Sequence, residues 1–414
     1  MVQYPRAPRS GRRATAERAG RAEKPPAAMA GRDRLSIPGG GSEVEIQLTE
    51  RAAAEYGRLS SGAMTPKMAS EYLRAGNIVL RSFSETLREF YPHPDLGRRL
   101  TAAMQAYEPE SAPDSVARKV RGWLEGKSRP AKREDVFRIA FALDLGEGQL
   151  SSLLGQCTGY GIHYRELRDA VYAWFLRADR GYGEARDFLA SLPEPPRERE
   201  YIDCGSGGHI TRELQNEFCA ARTPEELREV CLGSLERFGA LHLRAYQYFE
   251  KYLSQLTHPD TGWEGEPGED YSLETVMEQY LSLHMPTGRG RGGYSVTQKL
   301  LKRNWPNATS LKNIRAHRED VPRKLLLLLY VITENVVDGE YSELDEDYLS
   351  IAERLENHWW ILNAILIDCG MPTLDPRSAT DWLIIYALAA DGDESMSERM
   401  EQVIDHLFAG EAGG

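Results

Sequence analysis

From about residue 64 the apolar positions of this chain recur at helical steps. The stretch SEYLRAGNIVLRSFSETLREF (70–90) places Tyr72, Ile78, Leu80, Phe83, Leu87 and Phe90 mostly three or four residues apart, the spacing of one buried face on an α-helix. DLGRRLTAAMQAYE from Asp95, SAPDSVARKVRGWLEG from Ser111, KREDVFRIAFALDL from Lys132 and GEGQLSSLL from Gly146 repeat the pattern, so five short helices are expected. Ser111 and Asp114 form an S-x-x-D capping box with Pro113 in the first turn, which predicts a helix starting there and ending near Gly126.

The proline-rich SLPEPPRERE (191–200) reads as a linker. Beyond it, Thr223, Pro224, Glu225 and Glu226 supply a cap, a first-turn proline and two acids for the positive end of a helix. The helices that follow are expected to bury Leu227, Val230, Leu235, Phe238, Leu241 and Tyr246, with breaks at TGWEGEPGED (261–270) and PTGRGRGGY (286–294). VEIQLT (44–49) alternates as a strand does, but a lone strand has nothing to pair with. No β–α–β alternation occurs, so the expected fold class is all-α. The expected organisation is a disordered basic tail (1–42), a five-helix helix-turn-helix domain within 64–190, a linker (191–212), a helical middle region (213–285) and a C-terminal helical domain (294–408). The tail is rich in Arg, Ala, Pro and Gly, a composition that cannot bury a core. Met29 offers an alternative start, leaving open whether residues 1–28 belong to the native protein.

A weak internal echo runs through the chain. Residues 150–176 can be laid without gaps on 362–388, matching Leu150 with Leu362, Leu154 with Leu366, Cys157 with Cys369, Arg165 with Arg377, Asp169 with Asp381 and Leu176 with Leu388. An Arg-Glu-Asp-Val lies upstream of each copy, at 133–136 and 318–321. The matched Cys, Arg and Asp favour a degenerate duplication.

Charge narrows the function classes. The chain of 414 residues carries a net charge of −12, yet residues 1–34 hold nine basic against three acidic residues, and residues 115–133 hold seven against one. The longest apolar run, Leu325–Ile332, is far short of the roughly 20 residues of a membrane span. Five scattered cysteines without a CxxC pair suggest free thiols in a reducing, cytoplasmic setting.

The basic segment contains GWLEGKSRP (122–130), whose letters suggest a phosphate-binding loop. Its glycines are one residue too close, a helix leads in where a strand is needed, and Pro130 follows where a helix should continue. Pro113-Asp114 with Glu125 and Lys127 also fits a PD…(D/E)xK nuclease pattern formally. On a helix, positions 114 and 125 lie roughly 16 Å apart along the axis and cannot share a metal. Trp123, Gly126, Lys127, Arg129 and Pro130, continued by VFRIAFALDL (136–145), resemble the end of the recognition helix and the next helix in the Cro/phage-repressor (XRE-like) helix-turn-helix family. The resemblance covers about residues 70–156. It departs from the family where EPESAP (108–113) replaces the usual glycine turn.

That resemblance implies a cytoplasmic bacterial transcriptional regulator, not an enzyme. Base contacts are expected from Ser115, Ala117, Arg118, Lys119 and Arg121, phosphate contacts from Lys127, Arg129 and Lys132, and a homodimer would double the half-site. The alternative is a scaffold of a mobile element or defence system in which the same fold meets a protein partner. The C-terminal copy (310–332) sets Arg315, His317, Arg318, Arg323 and Lys324 in comparable places but lacks the Gly-Lys turn. It is either a second reader or, the favoured expectation, a scaffold that no longer meets DNA. Nine singly spaced histidines, the GSGGH stretch (205–209) and the acidic run near 334–347 add no metal, cofactor or membrane site.

Overall fold

The computed structural model describes residues 34–36, 43–45, 48–195, 210–239, 241–258, 270–288, 293–333, 350–390 and 394–409. Among them run nineteen α-helices: α1 (Glu50–Ser60), α2 (Pro66–Arg74), α3 (Phe83–Phe90), α4 (Leu96–Tyr107), α5 (Pro113–Leu124), α6 (Arg133–Leu143), α7 (Glu147–Thr158), α8 (Leu167–Arg177), α9 (Tyr182–Ala190), α10 (Ile210–Ala220), α11 (Pro224–Gly233), α12 (Leu243–Thr257), α13 (Leu273–Val276), α14 (Val296–Lys302), α15 (Ala308–Arg315), α16 (Arg323–Thr333), α17 (Ile351–Asp368), α18 (Ala379–Leu388) and α19 (Met396–Phe408). The fold is all-α, as expected. The strand expected to lack a partner has one: Glu43–Glu45 pairs antiparallel with Arg34–Ser36, inside the segment expected to be tail. Residues 1–33, the GSGGH stretch and the acidic 334–347 run lie outside the described residues.

The single helix expected over 70–90 is two helices. Gly76 turns left-handed at φ 67° after α2, and residues 77–82 run on as a non-helical link to α3. That link crosses between two hydrophobic cores. Phe83 and Leu87 of α3 belong to a first core with residues of α4–α11, whereas Tyr56, Leu59, Ala69, Leu73 and Ile78 join a second core built by α12–α19. The converse holds after residue 210: Leu214 and Phe218 of α10, Leu227 and Cys231 of α11, and Phe238 are buried in the first core. The expected 64–190 and 213–285 domains therefore do not coincide with the packing units.

The chain is built as two similarly arranged units, called repeats below. Each starts with a two-helix arm, α1–α2 or α10–α11, whose second helix opens on a Thr cap and a first-turn Pro, Thr65-Pro66 and Thr223-Pro224. Each arm packs on the body of the other repeat. The two repeats exchange arms reciprocally within one chain.

The exchanged links are held by equivalent arginines. Arg165, fully buried, donates to the carbonyls of Arg237 (3.2 Å) and Leu241 (2.6 Å), while its own carbonyl accepts the Gly239 N–H at 2.9 Å. Arg377, 1% exposed, donates to the Val79 carbonyl (2.8 Å) and to Glu85 (2.7 Å), and its carbonyl accepts the Arg81 N–H at 3.0 Å.

Beside each clamp sits an Arg–Asp clasp. Arg133, the first residue of α6, pairs with buried Asp169 and donates to the carbonyls of Tyr160 and Gly161. Arg323, the first residue of α16, pairs with Asp381 at 2.7 and 2.8 Å and donates to the carbonyls of Pro372 and Thr373. Each carboxylate also accepts a backbone N–H of its loop, from His163 or Asp375. The counterpart of Arg133 is thus Arg323, and the Arg-Glu-Asp-Val at 318–321 lies out of structural register with 133–136.

The two clasped loops touch. Gly161 N–H donates to the Gly370 carbonyl at 3.2 Å, and a Cβ on Gly155 would stand 2.2 Å from Pro372 Cγ, so only glycine admits this approach. Tyr160 stacks on His242 at 3.6 Å, which stacks on His163 at 3.7 Å, and the Tyr160 hydroxyl donates to the Val321 carbonyl. His242 bonds Asp320 through both its backbone N–H and its ring. Burial pushes the His242 imidazole down to about 3 and the Asp320 carboxyl up to about 6, so at neutral pH an uncharged ring meets a carboxylate.

Candidate nucleic-acid interface

Helix α5 owes its orientation to three apolar residues. Val116, Val120 and Trp123, spaced by four and three, are buried in the first core against α3 and α4. The helix begins one residue later than a Ser111 cap would give, because a residue before proline is steered to extended backbone. Ala112 accordingly takes φ −60°, ψ 132° and becomes the cap position without a side-chain bond, with Pro113 in the first turn and Asp114 at the positive end. The helix ends as expected: Gly126 adopts φ 71°, and the Lys127 and Ser128 N–H groups donate to the Gly122 carbonyl at 3.0 and 3.2 Å. Pro130 does not start α6. It is buried in the turn, and the helix opens at Arg133 with Lys132 as its cap residue.

The expected contact residues do not all share one surface. Ser115, Arg118 and Arg121 recur every three residues and are exposed along one stripe of α5. Ala117 and Lys119 are half-buried beside that stripe. Lys119 is occupied within the protein: its ammonium lies 2.6 Å from Glu108, 3.5 Å from Asp135 and 5.3 Å from the Trp123 ring centre. Burial alone would raise the Glu108 carboxyl, but Lys119 and Arg138 hold it below its usual range. Lys119, expected to face a base, is therefore engaged within the protein instead. Nothing in its spacing could have shown this, since Glu108 comes from the turn before α5 and Asp135 from α6.

The turn after α5 carries the other cations. Lys127 is exposed and meets Glu125 at 2.7 Å, which lowers the Glu125 carboxyl. Arg129 is exposed yet donates to the Gln156 carbonyl at 3.0 Å, near the C-terminal end of α7. Lys132 is exposed, and like Arg118 it makes no ion pair among the described residues. Glu110 and Asp114 are exposed at the N-terminal end of α5, so the positive part of the surface is its second half and the turn beyond.

Helix α15 occupies the corresponding place before α16. Leu311 and Ile314 bury its inner face in the second core, as Val120 and Trp123 do for α5. Thr309, Lys312 and Arg315 are exposed at three-residue steps. Asn307 caps the helix, its side chain accepting the Ser310 N–H at 2.9 Å, so α15 has eight residues against the twelve of α5. Of the other cations expected here, Arg318 is exposed just past α15 and His317 is half-buried at φ 53°. Arg323 is consumed in the clasp. Lys324 donates to the carbonyls of Leu301 (2.9 Å) and Arg303, closing the end of α14, and burial lowers its ammonium to about 8.

Between the repeats lies a cleft of about 1200 Å³ that reaches Arg81, Arg129, Arg303, Lys324 and Arg377. Among the described residues no cluster of three or more His, Cys, Asp or Glu side chains is placed to hold a metal ion, and no helix is long and apolar enough to cross a membrane. No protein-family model, curated protein or solved structure matches the chain.

Proposed function

We propose that the chain is a transcriptional regulator that binds double-stranded DNA through α5 and the turn after it. The observation that carries this reading is the two-sided character of α5. Val116, Val120 and Trp123 fix one side in the core, leaving Ser115, Arg118 and Arg121 exposed on the other, with Lys127 and Lys132 exposed beyond the helix end. A helix so presented can enter the major groove, where Arg reads guanine edges, while cations at its end meet phosphates. The resemblance of residues 122–130 and the following helix to the Cro/phage-repressor family points the same way.

The test is Arg118→Ala combined with Arg121→Ala, assayed on a pool of genomic fragments at physiological salt. Each arginine that reads a base contributes roughly 1–3 kcal/mol, so removing both should weaken binding at least about 30-fold and relax its sequence preference. Unchanged affinity and preference would refute the assignment. Recovery of a protein partner without DNA, in an association indifferent to salt, would favour the scaffold reading instead.

A further inference from the structure

We infer that α15 is a second DNA-contacting helix and that it grips the phosphate backbone while α5 reads bases, so that one chain carries both contact helices of its site. The inference rests on the reading of α5 given above. Its independent support is the reciprocal construction of the two repeats. Each has the same Arg–Asp clasp at the start of the helix that follows the contact helix, Arg133 with Asp169 and Arg323 with Asp381. Each has the same buried arginine holding the other repeat's link, Arg165 and Arg377. These bonds tie α6 and α16, and the contact helices before them, into a single framework through the touching loops at Gly161 and Gly370. On this inference one chain supplies the two contact helices that two protomers would otherwise contribute.

The difference between the helices assigns their roles. Base edges are read from the N-terminal half of a recognition helix. Alignment of the buried pairs, Val120 and Trp123 with Leu311 and Ile314, sets Thr309 where α5 has Arg118 and Lys312 where it has Arg121. The first turn of α5 has no helical counterpart, because Asn307 caps α15 about one turn later. What α15 offers is cationic and lies at its C-terminal end and beyond: Lys312, Arg315 and Arg318, all exposed. Arg315 and Arg318 make no ion pair among the described residues. Lys312 meets Glu274 in an exposed pair, a partner that a phosphate readily displaces, since such surface pairs contribute little. Glu319, also exposed, is held by the Asn313 amide at 2.7 Å.

The experiment compares Lys312→Ala with Arg315→Ala, as one double variant, against the Arg118→Ala, Arg121→Ala double variant. The probes are a duplex selected by the unaltered protein and a random-sequence duplex of equal length. Each phosphate contact contributes about 0.9 to the slope of log affinity against log salt. The α15 variant should therefore weaken binding to both duplexes alike and make that slope shallower by about 2, with a footprint shortened at one end. The α5 variant should lose discrimination between the duplexes, and light scattering of the unaltered complex should show one chain per duplex. A slope, affinity and footprint untouched in the α15 variant, with the α5 variant impaired, would overturn the inference and leave the α5 reading standing. Two chains per duplex with a footprint symmetric about its centre would also overturn it. Indifference of both variants would remove the underlying reading itself.

Discussion

The exchange of arms makes a sharp prediction about cutting the chain. If residues 48–200 and 201–409 are produced as two separate polypeptides in one cell, they should purify as a single complex. Neither half carries a complete core. The first half would lack Leu214, Phe218, Leu227 and Phe238 on its own body, and the second would lack Tyr56, Leu59, Leu73 and Ile78. Each of those side chains is at most 6% exposed. Burying such a side chain is worth roughly 1.5–3 kcal/mol, so the two arms together represent about 12–24 kcal/mol of apolar burial, as an upper figure. Association costs on the order of 4–15 kcal/mol in lost rigid-body freedom. The burial term alone leaves the balance near or above break-even; the backbone clamps of Arg165 and Arg377 and the loop contact at Gly161 add to it. A submicromolar dissociation constant, about 8 kcal/mol or more, is expected.

The assay is co-purification through a tag on one half, followed by urea unfolding of the complex. Both halves should elute together and unfold in one transition at a midpoint that rises with concentration. Halves that separate during size exclusion and unfold independently, each with a native helical spectrum, would refute the exchanged arrangement. The uncut chain should also unfold in one step despite its length, because either core loses part of itself when the other opens.

Two further outcomes follow from the buried charges. Asp169→Asn and Asp381→Asn should each destabilise the protein by about 3–5 kcal/mol in urea unfolding, because each leaves an arginine without its carboxylate; a loss confined to one site would show the clasps to be unequal. His358, 1% exposed and bonded to the Tyr330 hydroxyl at 2.8 Å, is held down to about 4 by burial and then by Arg354. The folded protein therefore keeps it neutral while the unfolded chain binds a proton below about 6.5, so stability falls as pH drops from 6.5 towards 4, by about 1.4 kcal/mol per unit. Against His358→Gln the difference in stability should vary with pH over that window, and a constant difference would refute the assignment.

Helix α5 was legible because its evidence is local. Three apolar residues at helical spacing, a glycine after Leu124 and a proline before Asp114 specify where α5 lies and which side it buries. Its electrostatics were not legible, because Lys119 is neutralised by Glu108 and Asp135, whose approach depends on how α4, α5 and α6 pack. The apparent helix over 70–90 misleads for a related reason. Leu80 extends the three- and four-residue spacing of Phe83, Leu87 and Phe90 back into a non-helical link, and periodicity records that a residue is buried without recording in which core. The same limit applied to the echo. The match of Arg165 and Asp169 with Arg377 and Asp381 was visible in the letters, but the identical Arg-Glu-Asp-Val segments suggested the wrong register for the arginine that completes each clasp.

What the two repeats share is the chemistry of their junction. Both use an arginine at the start of a helix to hold a carboxylate and two loop carbonyls, and both use a second, buried arginine to hold the link passing to the other repeat. A guanidinium suits this task because its donors are fixed in one plane and can satisfy several acceptors at once. In one link the Val79 carbonyl accepts from Arg377, and in the other the Arg237 and Leu241 carbonyls accept from Arg165. The arm exchange and the buried arginines are thus two aspects of one solution. It leaves the outer faces of α5 and α15 free to differ, and there they diverge in length, charge and first-turn geometry.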